Sequence, residues 1–133
     1  MDRVILGATG LNVSTLALGT MTFGDPVDAD TSFDLLDLAV EQGINFLDTA
    51  NTYNAGLSEE IIGQWLKARG RREQLVIASK VRNPVGDDPD SVGLSPRVIL
   101  QQLENSLKRL NTDYLDIYFL HQPDDDTPIE TTW

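Results

Sequence analysis

Three stretches of this chain are near-continuous runs of apolar and β-prone residues: INFLD at 44–48, LVIASK at 75–80 and YLDIYFLH at 114–121. A strand with one wet face alternates polar and apolar residues. A run that is apolar throughout is covered on both faces, as parallel strands under helices are. Between these runs the apolar residues change to helical spacing. Residues 29–42 place Phe33, Leu36 and Val40 on one face, with Asp28 or Asp30 as N-cap and Gly43 just past the end. A second helix is expected to open at Ser58 as N-cap. Glu59 and Glu60 complement its dipole, Ile61, Ile62, Trp65 and Leu66 form its apolar face, and Gly70 ends it. A third opens at Ser95 with Pro96 at its first position and carries the stripe Ile99, Leu103, Leu107 and Leu110. Ahead of all this, residues 3–14 read as a hairpin turning at Thr9-Gly10, and STLALGT as a short strand ending at Gly19. The predicted order is a hairpin, three βα units and a final strand, an α/β arrangement with a parallel sheet.

Composition narrows the partners. The 133 residues suffice for one domain, and a formal net charge of -11 argues against nucleic acid and anionic membrane surfaces as partners. There is no cysteine, which removes disulfides, thiol catalysis and thiolate metal sites and is compatible with a reducing compartment. MDRVILGATG does not resemble a signal peptide, and no apolar run approaches the ~20 residues of a membrane span. A cytoplasmic location is the expectation. GATG at 7–10 is followed by strand-like residues, not the helix a dinucleotide loop requires, and is expected to be a hairpin turn. DDPD at 87–90 and DDD at 124–126 lack the glycine and glutamate of a calcium loop; no metal site is expected.

In a parallel sheet, sites form at the C-terminal ends of the strands. Asp48, Lys80 and His121 each end one of the apolar runs, and Tyr53 stands five residues beyond Asp48. Alternation places Ile44, Phe46 and Asp48 on one face, as it does Val76, Ala78 and Lys80, and Ile117, Phe119 and His121. Each residue alone has a plainer reading: a turn aspartate, a snorkelling lysine, a packed histidine, a loop aromatic. Together they make a coherent chemistry. A phenol with a reference pKa of about 10 is a poor proton donor at neutral pH, and a nearby ammonium favours its ionised form. A carboxylate holds that ammonium charged and in place, and a histidine can orient a substrate oxygen. Such a site gives a proton to a carbonyl oxygen. No side chain supplies the accompanying hydride, so a nicotinamide cofactor is implied.

LALGTMTFG, GINFLDTANTYNAGLSEEIIGQWLK, LVIASKV and SLKRLNTDYLDIYFLHQPD, in this order and spacing, resemble the N-terminal part of an aldo-keto reductase. The resemblance covers essentially the whole chain. It implies a parallel (β/α) barrel of TIM type, closed at its base by the hairpin, with this chain supplying the hairpin plus about four strands and three helices. It implies Tyr53 as general acid, Lys80 and Asp48 as its tuners and His121 as the carbonyl orienter. It places Gly19, Thr20 and Met21, together with Asp48, on the nicotinamide and substrate side. The cofactor implied is NADPH, with NADH as the alternative, and the substrate a small aldehyde or ketone. The same fold serves as a regulatory subunit of potassium channels, so a non-catalytic role is the second reading.

A (β/α)₈ barrel takes about 250 residues. The expectation is therefore one incomplete domain, residues 1–133, holding the proton-donating groups without most of the cofactor site and nearly inactive in isolation. Its first and last barrel strands are expected to have open edges, and its inner apolar rows no opposite wall. Either a second chain or a second copy of the half-barrel covers them, or the fragment is only marginally ordered alone; a self-associating half-barrel with a structural role is the third reading. Asp116 falls opposite His121 by parity and is expected to find a buried partner, a backbone amide or a basic residue.

Overall fold

The structure, a computed structural model, describes residues 1–132. Strands β1 (Arg3–Ile5) and β2 (Asn12–Ser14) form the antiparallel hairpin, with Arg3 opposite Ser14. Its turn has Gly7 and Gly10 at positive φ, where a side chain would be strained. Four parallel strands follow in sequence order: β3 (Ala17–Gly19), β4 (Phe46–Asp48), β5 (Val76–Val81) and β6 (Ile117–Leu120). Helix α1 (Ala29–Glu41) lies between β3 and β4, α2 (Leu57–Arg69) between β4 and β5, and α3 (Pro96–Leu110) between β5 and β6. A short α4 (Ile129–Thr132) begins after β6. This is one arc of a (β/α) barrel, not a closed one.

The helices form where their local chemistry says they should. Asp28 caps α1 by accepting from the Thr31 amide at 2.8 Å, and Ser95 caps α3 ahead of Pro96. Helix α2 differs from expectation. It begins one residue before Ser58, with Gly56 at the cap position in the left-handed region (φ 94°), and Ser58 is buried inside the first turn. The Ser58 hydroxyl has stronger attractions elsewhere, described below.

The outer face of the sheet, with Leu47 and Ile77 fully buried, packs on Leu36 of α1, on Ile61, Ile62 and Trp65 of α2, and on Leu110 of α3. Each such side chain contributes roughly 1.5–3 kcal/mol by leaving water. On α3 the predicted apolar stripe is only half realised. Leu110 is buried, but Ile99, Leu103 and Leu107 are half-buried, and the polar Gln102 and Ser106 lie inside. The hairpin is pinned beneath the strands by Asn45, which accepts from the Ser14 amide at 2.7 Å and donates to the Asn12 carbonyl at 3.0 Å. Asp116 finds both kinds of partner expected for it: the Arg72 guanidinium at 2.8 Å and the Ile77 amide at 2.9 Å.

The inner face is open. Phe119 is 43% exposed, Phe46 and Ile117 are half-buried, and β3 and β6 each have one unpaired edge within the sheet. Among the described residues no helix is long and apolar enough to cross a membrane.

Candidate active site

The C-terminal ends of β4 and β5 bring Asp48 and Lys80 to the same mouth of the sheet. The Lys80 side chain is 13% exposed, and its ammonium has three protons to place. It donates to Asp48 Oδ2 at 2.8 Å, to the Thr49 carbonyl at 2.8 Å and to Tyr53 Oη at 3.0 Å. All three are therefore assigned. Because the phenol oxygen accepts from Lys80, its own proton remains available to donate. The ammonium also stands 4.8 Å from the centre of the Tyr53 ring, within cation–π range.

His121 follows β6 directly. Its amide donates to the Val81 carbonyl at 2.8 Å, which fixes it beside β5. Its ring meets the Tyr53 ring edge-on, with centres 5.9 Å apart and planes at 83°. Burial holds the imidazole below its ordinary pKa of 6.5; the Lys80 charge adds to this, and Asp48 opposes it. The neutral ring is thus favoured, and its Nδ1 is buried without a partner. An imidazole in that state can donate one hydrogen bond to a carbonyl oxygen without placing a second cation next to Lys80.

Tyr53 is positioned by a short 3-10 segment, Tyr53–Gly56, in which Asn54 and Ala55 take left-handed backbone angles. Asn54 tolerates this conformation better than most residues. Its side-chain amide lies 3.2, 2.8 and 3.1 Å from the carbonyls of Met21, Phe23 and Asp25 and ties the loop after β3 to the tyrosine turn. Thr52 ties the other side, donating to the Pro84 carbonyl at 2.7 Å.

Beneath the mouth, three hydroxyls form a buried chain. Thr49 and Ser58 are 3.0 Å apart, Ser58 donates to the Thr20 carbonyl at 2.8 Å, and Thr20 donates to the Asp48 carbonyl at 3.0 Å. The chain locks the backbone that presents Asp48 and the Thr49 carbonyl. Behind Lys80, the fully buried Glu59 accepts from Ser79 at 2.6 Å and from Arg109 at 2.7 Å.

Asp48, Tyr53, Lys80 and His121, singled out from the sequence, thus converge, the first three by hydrogen bonds and His121 by ring contact. Gly19 pairs with Asp48 in register and faces open space, and Met21 is 64% exposed nearby in the chain. Thr20 is fully buried with its hydroxyl on the Asp48 carbonyl, so its side chain braces Asp48 from behind rather than lining the cleft. Sequence reasoning missed the Thr49 carbonyl, Asn54 and the buried Glu59. Asn followed by Ala-Gly was a usable signal for a left-handed turn at Asn54; nothing local marked Glu59 as buried.

An arc of parallel strands with a carboxylate, an ammonium and a phenol hydrogen-bonded at its C-terminal mouth defines a class: (β/α)-barrel proteins with an aspartate, a lysine and a tyrosine joined at the strand ends. The chain belongs to the aldo/keto reductase family, whose model matches residues 15–133. It is 47% identical to the uncharacterized oxidoreductase YrpG of Bacillus subtilis, over 100% of this chain and 44% of that protein. It is 42% identical to a probable voltage-gated potassium channel subunit beta of Arabidopsis thaliana, over 96% of this chain and 39% of that protein. Among solved structures, the holo form of aldo-keto reductase AKR11C1 from Bacillus halodurans superimposes with a TM-score of 0.87 at 40% identity, covering 99% of this chain and 44% of that one. The chain therefore spans less than half the length of these relatives.

Proposed function

We propose that this chain carries the proton-donating part of a carbonyl reductase that reduces a small aldehyde or ketone with NAD(P)H. The observation that carries the reading is the Lys80 ammonium shared between Asp48 and Tyr53, in which the phenol oxygen accepts from Lys80 and its own proton is left to donate. The residues fit a reductive nicotinamide in the chemistry they offer: a proton source and a neutral imidazole donor, with no hydride source of their own. Gly19, Met21 and Asp48 would hold the cofactor's reactive end, on the open side of Gly19 where even an added Cβ would touch nothing. When bound, the cofactor supplies the hydride to the carbonyl carbon.

The chain's own residues do the rest. His121 orients the carbonyl oxygen by a hydrogen bond. Tyr53 donates its proton to that oxygen as negative charge develops there. Lys80 stabilises the phenolate left behind, and Asp48 and the Thr49 carbonyl keep Lys80 from swinging away.

The test is a chimera in which this chain replaces the matched part of YrpG. NADPH oxidation by a panel of aldehydes is expected in the chimera, is expected to fall at least a hundredfold in Tyr53→Phe, and is expected to be nearly absent with the 133-residue chain alone. Turnover that survives Tyr53→Phe would remove the tyrosine from its assigned role. The likeness to a plant channel subunit favours a second reading, in which nicotinamide binding matters more than turnover. Tight cofactor binding by the chimera, followed by nicotinamide fluorescence, with no turnover of any aldehyde would favour it.

A further inference from the structure

Tyr53 and Lys80 reach each other from two separate elements: Tyr53 from the turn that leads into α2, Lys80 from the end of β5. The backbone fixes their spacing only loosely. The β4–β5 ladder ends at the Asp48–Ala78 pair, short of Lys80. Beyond it the β4 side offers the Thr49 amide on the Ala78 carbonyl at 2.9 Å and the Asn51 amide on the Lys80 carbonyl at 3.3 Å. On its other side β5 pairs with β6, which is itself an edge of the sheet.

One cluster of side chains spans the two elements. Glu59 lies in the first turn of α2, soon after Tyr53, and Ser79 directly precedes Lys80. Both are fully buried, and the Ser79 hydroxyl donates to Glu59 Oε1 at 2.6 Å. Alternation along β5 turns Ser79 to the helices and Lys80 to the opposite face, so this bond holds the strand from behind the ammonium. Arg109 completes the cluster from α3, with its Nε donating to Glu59 Oε2 at 2.7 Å. The Arg109 side chain also lies against Gly56, the last residue of the tyrosine turn. A Cβ added to Gly56 would stand 2.9 Å from Arg109 Cδ and 3.0 Å from its Nε. The Arg109–Glu59 pair thus touches the turn that carries Tyr53 and, through Ser79, the strand that carries Lys80. A buried ion pair is a poor source of net stability, because desolvation offsets its attraction. What this one supplies is a fixed geometry between two elements that the sheet leaves loosely joined.

We infer that Arg109, Glu59 and Ser79 are positioning residues that hold Lys80 in its 3.0 Å contact with Tyr53 and so set the rate of proton donation. Glu59 and Ser79 are fully buried, so they act only through the elements they join. The consequence for rate rests on the carbonyl-reduction reading; the hold on Lys80 does not.

The test has two readouts. The first is proton exchange of the Lys80 ammonium in the full 133-residue chain, followed by nitrogen-15 NMR. The other lysines, Lys67 and Lys108, are exposed, so a slowly exchanging ammonium signal belongs to Lys80. Ser79→Ala is expected to speed that exchange at least about fivefold, because an ammonium whose strand is free to shift opens to water more often. Ser79→Thr keeps the hydroxyl and is expected to stay within about twofold of the native rate. The second readout is steady-state turnover of the YrpG chimera. There Ser79→Ala is expected to lower kcat about tenfold with KM within about twofold, as a small misplacement of reacting groups does. If Ser79→Ala folds poorly, Ser79→Cys, of similar shape but a weak donor, must change both readouts in the same direction. Asp37→Ala cuts the bonds of Asp37 to Trp65 and Arg69 and touches none of the three residues; it is expected to leave both readouts native. Unchanged ammonium exchange in Ser79→Ala and Ser79→Cys overturns the inference, and so does an equal effect of Asp37→Ala. A chimera that keeps its native kcat in Ser79→Ala overturns the positioning role and leaves the carbonyl reading standing. A chimera without any turnover bears on the carbonyl reading alone, and the exchange ratio then decides the hold on Lys80.

Discussion

Gly63 sits in the middle of α2, where replacement by alanine would ordinarily help. Mid-helix, alanine is favoured over glycine by about 0.8–1.0 kcal/mol. Here the packing reverses the sign. A Cβ on Gly63 would overlap the Arg109 carbonyl oxygen and come within 2.8 Å of the Leu110 carbonyl carbon and 3.0 Å of the Arg109 one. These are backbone atoms of the end of α3, not flexible side-chain tips, so no rotamer change makes room. The two helices must part by more than an ångström, and three things loosen together. Leu110 moves off Ile62 and Trp65 in the core. The Arg109–Glu59 pair, with Arg109 17% and Glu59 0% exposed, is stretched. The Glu59 bond to Ser79, next to Lys80, loosens with it. Overpacking of this kind costs about 1–3 kcal/mol, and a strained buried charge pair adds to that. After the propensity gain is subtracted from the upper part of that range, Gly63→Ala is expected to destabilise the chain by about 1–2 kcal/mol, and by more in so far as the buried pair is broken. Urea unfolding followed by far-ultraviolet circular dichroism, with fluorescence of the buried Trp65 as second probe, measures it. A midpoint equal to or above the native one would refute close backbone contact between α2 and α3.

Three further outcomes follow from named contacts. His121 is the single histidine of the chain, so its proton resonances titrate alone. Burial and the Lys80 charge hold its pKa down, so the NMR midpoint is expected below 6.5, and a midpoint above that value contradicts the geometry. Because the unfolded chain then binds more protons between the two pKa values, the stability His121 contributes is complete above pH 6.5 and declines as pH falls through its folded value; His121→Gln is expected to remove that part of the pH dependence. Asn54→Gly keeps the left-handed backbone but removes the amide that bonds the carbonyls of Met21, Phe23 and Asp25, so a loss of about 1–2 kcal/mol and faster amide exchange around residues 20–27 are expected; unchanged exchange there shows the clamp to be idle. Glu59→Gln leaves Arg109 half-buried against a neutral group and is expected to lower stability by about 3 kcal/mol, whereas an effect under about 1 kcal/mol would place this pair with ordinary surface ion pairs.

What the sequence made legible was whatever rests on neighbours a few residues apart. The caps Asp28 and Ser95, the terminating Gly70 and the apolar faces of α1 and α2 follow from local spacing, and the structure has them. Strand parity was enough to bring Asp48, Lys80 and His121 to one mouth, because alternation along a parallel strand is rigid. What stayed hidden depends on partners far along the chain. Ser58 looks like a helix cap, but its hydroxyl is claimed by Thr20, 38 residues earlier. Glu59 looks like a solvated first-turn acid, but Arg109 reaches it from 50 residues later and makes burial tolerable. Gln102 is buried on α3 where the amide of Asn51, 51 residues earlier, donates to it at 3.4 Å. No periodicity rule shows this, since the same helix has a good apolar stripe pointing elsewhere.

The two halves of the candidate site are held by different means, and this divides what each depends on. Lys80 has three protons and three acceptors, all on Asp48, Thr49 and Tyr53, so its geometry closes within the β4–β5 pair and the turn that α2 begins. The hydroxyl chain through Thr20 and Ser58 braces the same backbone from below. Nothing in this set involves β6. His121 is different: it reaches the cluster through a ring edge on Tyr53, its Nδ1 has no partner, and the strand before it presents Phe119 to an open face. A change that covers that face acts first on β6, and so on the orientation of His121, while the Asp48–Lys80–Tyr53 bonds stay as they are. In the carbonyl-reduction reading, proton supply is then a property this stretch of chain holds on its own. Carbonyl orientation is the property that responds to whatever lies against the inner face, because a hydrogen-bond donor fixed at only one end turns with the strand that carries it.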